Sequence, residues 1–254
     1  MPAFESLEPL LLLLIALTAF ASAVFHSVGG FAGALVLTIA LAPILGVKET
    51  VPIVAAAMIV SNTTRVWAFR KWINWRVVAA IFTAALPGII LGAIFYIRLP
   101  VHYVALLLGI FLIVVVPLRR SFAARNFKVG LNGLRAVAVP YGFVGGSVMG
   151  AGLMLAPFLL GAGVIGGELV AVVAALGLGL NLSKTIIFGL SPLLDAEMAL
   201  KGLLIGICTI PGAFTGRWIV THTPLRIHTL FMEGFILAGG CYFLWRAAEG
   251  FGWL

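Results

Sequence analysis

The sequence predicts an all-α integral membrane protein made of two inverted halves, with about eight to ten membrane segments of ~20 apolar residues each. Three observations carry that prediction. Of 254 residues, 63% are hydrophobic and 9% charged, whereas soluble domains are roughly a quarter charged. The apolar runs have the length of membrane spans and are separated by short basic gaps. Finally, one offset of 119 positions maps Glu49, Asn62, Thr64 and Arg65 onto Glu168, Asn181, Ser183 and Lys184.

The net charge of +8 does not point to nucleic acid, because no segment is polar enough to form a soluble basic face. Ten of the sixteen Lys and Arg residues fall between Arg65 and Arg135, and no acid lies between Glu49 and Glu168. Basic residues confined to short gaps are the mark of cytoplasmic loops. Cys208 and Cys241 both sit in apolar runs and suggest neither a disulfide framework nor a metal site.

Taken in order, residues 1–9 carry Glu5 and Glu8 and no basic residue. The small-residue end Ala21-Ser22-Ala23 mimics a cleavage site. A signal peptide has a basic start, so the segment is read as a retained span. Leu10–Val47 is too long for one span and suits two, or a re-entrant hairpin, broken near Gly29-Gly30 and closed by Pro43. Plain spans are expected at roughly 50–68, 76–97 and 101–118. Arg70, Lys71 and Arg76 mark one cytoplasmic gap, and the five basic residues from Arg119 to Arg135 mark another.

The second half repeats this layout. Leu134–Val164 is again long and interrupted by glycine. Spans follow at roughly 168–190, 197–218 and 225–246. Pro87-Gly88, Gly92 and Pro100 recur as Pro211-Gly212, Gly216 and Pro224 at an offset of 124. Asp195 and Glu197 place the first gap of this half outside, and Arg217 and Arg226 place the next one inside. The first half has the opposite assignment, so the halves are expected to be inverted. The expected organisation is a first repeat over 1–120, a basic cytoplasmic linker over 121–133 and a second repeat over 134–254.

Inverted repeats with interrupted spans are characteristic of secondary transporters, which bind solute where the repeats meet. A broken helix frees backbone N–H groups, and its positive dipole end suits an anion. For single glycines, close helix packing is the plainer reading. The cluster from Gly142 to Gly152, followed by Pro157, is read as a real break, with Gly145, Gly146, Gly150 and Gly152 as a backbone site. Arg65 and Lys184 are the cations well inside spans. Snorkelling to the headgroups competes with function there, and the duplicated Asn62, Thr64, Asn181 and Ser183 favour function. Amides and hydroxyls can donate to an oxyanion while the cations supply charge.

Glu233, deep in a span, is read either as a proton-coupling site or as the partner of a cation such as Arg217. His26, beside the first break, is read as a hydrogen-bonded packing histidine, with proton coupling as the alternative. No HExxH, GxSxG or Walker loop is present, so an enzyme is not expected. A Ser147–His222 pair is the nearest approach to catalytic machinery, and His222 falls in an expected loop.

These motifs together resemble the sulfite exporter TauE/SafE family. The resemblance rests on the Gly-rich segments Gly29–Pro43 and Gly142–Pro157, the Asn-x-Thr/Ser-Arg/Lys positions 62–65 and 181–184, and the Pro-Gly-x-x-x-Gly helices at 87–92 and 211–216. It covers nearly the whole chain. In the first Gly segment the chain departs from the pattern, since Phe31-Ala32-Gly33 follows where a tighter glycine cluster would stand. The resemblance implies a multi-pass carrier of the cell inner membrane that exports sulfite, an organosulfonate or a related small anion. The competing readings are a carrier for a small carboxylate, a passive anion channel and a structural membrane protein. Expected partners are the anion, the bilayer and coupled protons. A homodimer is left open, and neither a cofactor nor a metal is expected.

Overall fold

The structure, a computed structural model, describes residues 9–29, 33–124, 128–222 and 225–253, leaving the side chains of 9–11, 28–29, 123–124, 217–222 and 225–232 undescribed. Among the described residues it contains ten α-helices, one 3-10 turn at Arg70–Trp72 and no strand. They are α1 (Pro9–Gly29), α2 (Gly33–Leu45), α3 (Val47–Ala68), α4 (Trp75–Arg98), α5 (Val101–Ala124), α6 (Leu131–Ser147), α7 (Gly152–Gly161), α8 (Gly166–Gly189), α9 (Ala196–His222) and α10 (Leu225–Phe251). The chain is an all-α membrane protein. Five helices among the described residues are long and apolar enough to cross a bilayer, namely Val47–Ala68, Trp75–Arg98, Val101–Phe122, Gly166–Gly189 and Ala196–Gly216. They match five of the six spans expected from the sequence; the sixth, at 225–246, falls on α10, whose first turns are only partly described.

Each long Gly-interrupted run resolves into a longer helix followed by a short one. The 13 residues of α2 and the 10 of α7 extend about 20 and 15 Å, well short of a hydrocarbon core of about 30 Å. Pro43 does not close the first unit. It lies inside α2, which continues to Leu45. Prolines also sit inside α3, α4, α5, α6, α7 and α9, as packed membrane helices allow. The turn into α3 is made by Gly46 at φ 93°, in the left-handed region that a side chain resists. The first break, at Gly30-Phe31-Ala32, lies outside the described residues, as do Glu5 and Glu8.

Polar ties fix the helix ends. Asn74 Oδ1 accepts from the Val77 N–H at 3.2 Å and caps α4, while its Nδ2 donates to Glu168 Oε1 at 2.8 Å. Lys48 Nζ donates to the carbonyls of Ile97 at 3.1 Å and Leu99 at 2.5 Å, closing the far end of α4. Cations are favoured at that negative end of the dipole. The Tyr96 hydroxyl donates to the Lys48 carbonyl at 2.9 Å.

Helices pair across the halves. α1 packs on α9, α4 on α6, α3 on both α8 and α9, α4 on α8, and α5 on α10. Exchanging α1 with α6, α2 with α7, α3 with α8, α4 with α9 and α5 with α10 carries these pairs into one another. The closest seams are made of glycine against carbonyl oxygen. A Cβ added at Gly92 would stand 2.1 Å from the Phe143 oxygen, and one at Gly142 would stand 2.1 Å from the Ala85 oxygen. On the exchanged pair, Gly212 and Gly216, the counterparts of Gly88 and Gly92, lie 2.3 Å from the Phe20 oxygen and 2.6 Å from the Val24 oxygen by the same measure. Backbones in such contact are typical of membrane helices, where lipid tails remove the hydrophobic drive between helices and close packing replaces it.

Candidate functional site

The break expected in the second Gly-rich run is present. α6 ends at Ser147 and α7 begins at Gly152. The reversal between them requires Gly150 at φ 81°, a conformation few side chains accept. The side chain of Leu35 fills the space where a Cβ of Gly150 would stand, with Cγ 2.2 Å from that position. A helix start leaves its first N–H groups without intrahelical partners. Gly150, Ala151 and Gly152, at the start of α7, line a cavity of about 50 Å³.

Three further helices bring polar side chains to this cavity. His26 comes from α1, Asn62 from α3 and Asn181 from α8. The same turn of α6 adds Tyr141 and Gly145. His26 is buried, and neither ring nitrogen has a hydrogen-bond partner among the described residues. It is therefore not the hydrogen-bonded packing histidine expected from the sequence. Asn181 donates from Nδ2 to the Gly177 carbonyl of its own helix at 2.7 Å. Because that carbonyl can only accept, the amide orientation is fixed, and Oδ1 is the atom of the amide left without a bond to the helix. Oδ1 is buried with no partner. The Asn62 amide lies over Gly177, with both Nδ2 and Oδ1 3.1 Å from where a Cβ of that glycine would be. A side chain at 177 would displace it.

Other predicted site residues lie next to the cavity and are not among its lining. Lys184 is fully buried. Its Nζ donates to the Val148 carbonyl at 2.9 Å, lies 3.2 Å from Met149 Sδ, and stands over the Phe188 ring at 5.9 Å. The ammonium thus holds the broken backbone where α6 ends, and Val148 and Met149 in turn face the cavity. Arg65 occupies the corresponding place on α3 and is 3% exposed. The hydroxyls of Thr64 and Ser183 turn back to their own helices, donating to Val60 O at 3.0 Å and Gly179 O at 2.8 Å. Gly146 belongs to the α4–α6 seam, with its Cβ position 2.3 Å from the Ile89 oxygen.

Glu233 is not among the residues lining this cavity. It is buried on α10 and pairs with Arg120, through the guanidinium Nε and Nη2, and with Arg119 at 3.8 Å. Its cations come from the end of α5, whereas the side chain of Arg217 lies outside the described residues. Ser147 donates to Phe143 O at 2.8 Å and Gly92 O at 3.2 Å, and the side chain of His222 lies outside the described residues. Among the described residues, no group of three His, Cys, Asp or Glu side chains is placed to hold a metal.

Tyr141 is the polar lining residue that sequence reasoning missed, and Met58 and Met149 contribute lining as well. The position of Tyr141, directly before the Gly142 cluster, was the available signal. Among the described residues, no Asp, Glu, Lys or Arg lines the cavity. The cavity therefore presents neutral polar groups, one imidazole and a helix N-terminus, with Lys184 one layer behind. Such a set can bind a small anion without a full counter-charge in contact.

Compared with known proteins, residues 14–247 match the family model described as Sulfite exporter TauE/SafE. No curated protein and no solved structure matches the chain.

Proposed function

Since the chain belongs to the sulfite exporter TauE/SafE family of membrane transporters, we propose that it exports sulfite or an organosulfonate through the cavity between α1, α3, α6, α7 and α8. The observation that carries this reading is the convergence of His26, Asn62, Asn181 and the start of α7 on one small buried space. A cavity of about 50 Å³ accommodates about four water-sized groups, which suits a sulfur with three oxygens. The Asn62 amide and the N–H groups at Gly150–Gly152 would hold the oxygens. Lys184 would act from behind, both fixing the break and adding positive potential, with Arg65 in the matching place.

Alternating access follows from the architecture on this reading. The exchange of helix pairs between halves supports two equivalent units, and the charge of the loops supports their inversion. Rocking of one against the other would open the cavity first inward and then outward. His26 is the candidate for carrying a coupled proton. Glu233, held by Arg119 and Arg120, would instead tie α10 to α5. The site of action would be the cell inner membrane, and the protein could work as a homodimer.

Counterflow in proteoliposomes tests this proposal. Labelled sulfite outside should enter faster when unlabelled sulfite is inside, because a carrier returns loaded. Flux without such acceleration would replace the carrier by a channel. No flux of sulfite or of an organosulfonate, relative to protein-free liposomes, would overturn the proposal.

A further inference from the structure

Taking the cavity to be the anion site, we infer that it recognises a monoanion still carrying an O–H group, such as hydrogensulfite, and that Asn181 Oδ1 accepts that proton in a hydrogen bond. Oδ1 is buried and without a partner, and its identity as the oxygen is fixed by the Nδ2 contact to the Gly177 carbonyl at 2.7 Å. An acceptor in that state gains its partner from an O–H donor, which a ligand in the cavity can supply in place of a water. A fully ionised oxyanion has only acceptors, so its oxygen would meet the Asn181 oxygen without a proton between them.

The charge of the lining agrees. A dianion held in a buried site calls for paired cations, yet among the described residues no Lys or Arg lines the cavity. Lys184 has committed its ammonium to Val148 O and Met149 Sδ. A single negative charge is within reach of the α7 start, whose dipole amounts to about half a unit charge, supplemented by the Asn62 amide. A ring N–H of His26, whose nitrogens have no partner among the described residues, can donate to an ionised oxygen and leave the O–H to Asn181 Oδ1. The site therefore contains both kinds of partner that a hydrogen anion requires. A donor-free anion can use only one of them.

The test compares two anions of similar pyramidal shape, hydrogensulfite and chlorate, in mildly acidic buffer. Chlorate carries one charge and no proton. Isothermal titration of the full chain in detergent is expected to show hydrogensulfite binding at least ten-fold tighter than chlorate, because sites built around a ligand hydroxyl strongly reject analogues lacking it. In Asn181→Leu the two affinities should converge, since the reading atom is gone. Equal binding of both anions by the native chain would overturn the inference and leave the anion site standing. That comparison decides the matter even if Asn181→Leu does not fold. Binding of neither anion would overturn this inference, and together with absence of both sulfite and organosulfonate flux it would overturn the proposed function as well.

Discussion

Gly142→Ala is expected to force apart the α4–α6 seam. The added Cβ would stand 2.1 Å from the Ala85 oxygen and 2.9 Å from the Ala85 carbonyl carbon and Cα, whereas real Cβ atoms essentially never come within 3.0 Å of such a neighbour. Everything it meets is backbone, so no rotamer change relieves the clash. The helices must separate or slide by about 0.9 Å at this point. That movement also loosens the reciprocal contact of Gly92 with the Phe143 oxygen. Overpacking of this kind costs roughly 1–3 kcal/mol, or roughly a 5- to 150-fold shift in the folding equilibrium.

Thermal unfolding of the detergent-solubilised protein, followed by helical circular dichroism, measures the effect. The midpoint should fall by roughly 2–12 °C. Gly234→Ala is the control, since among the described residues nothing lies within 4 Å of its added Cβ. Alanine in an open helical position is favourable by up to about 1 kcal/mol. Adding Gly146→Ala to Gly142→Ala should cost less than the sum of the two, because the first substitution has already separated the helices. A Gly142→Ala protein that unfolds no earlier than the native one would refute the close-packed seam.

Three other substitutions separate holding roles from binding roles. Tyr96→Phe removes the hydroxyl that donates to Lys48 O and should cost about 1 kcal/mol in thermal stability, with sulfite flux unchanged. Glu233→Gln breaks the pairing with Arg119 and Arg120; it should lower the unfolding midpoint by roughly 2–4 °C and leave flux per folded molecule within two-fold. Lys184→Ala strips the donor from the Val148 carbonyl at the edge of the cavity, and proteoliposome flux should drop by about ten-fold or more, as expected when a positioning group is lost.

Much of the architecture was legible in the sequence. Apolar run length placed the plain spans, because ~20 residues are needed to cross a bilayer whatever their order. The five glycines from Gly142 to Gly152, followed by Pro157, marked the break at 148–151, where only a residue tolerant of positive φ can turn the chain. The recurrence of Pro-Gly-x-x-x-Gly at 87–92 and 211–216 marked the helices that lie closest to a neighbour. Less of the site was legible, because a polar residue's partner depends on what stands opposite it in space. Thr64 and Ser183 bond their own helix, which any membrane helix permits. Lys184 and Asn181 lie three residues apart on α8, yet one reaches a broken backbone and the other keeps an unsatisfied oxygen. Gly145 and Gly146 are adjacent, yet one faces the cavity and the other an α4 carbonyl. His26 gave no sequence signal of its unpartnered ring, since that follows from the packing of α1 around the cavity.

Sulfite flux by the double variant Asn62→Leu, Asn181→Leu tests the central claim most directly. Leucine is similar in size to asparagine, so the fold should survive, and the unfolding midpoint of the purified protein verifies that. Native protein should carry sulfite into proteoliposomes, and the folded double variant should carry it at least a hundred-fold more slowly. This is the effect expected when two hydrogen-bonding contacts to a buried anion are lost at 1.5–3 kcal/mol each. A folded double variant that transports sulfite at the native rate would contradict the assignment of the cavity as the anion's path.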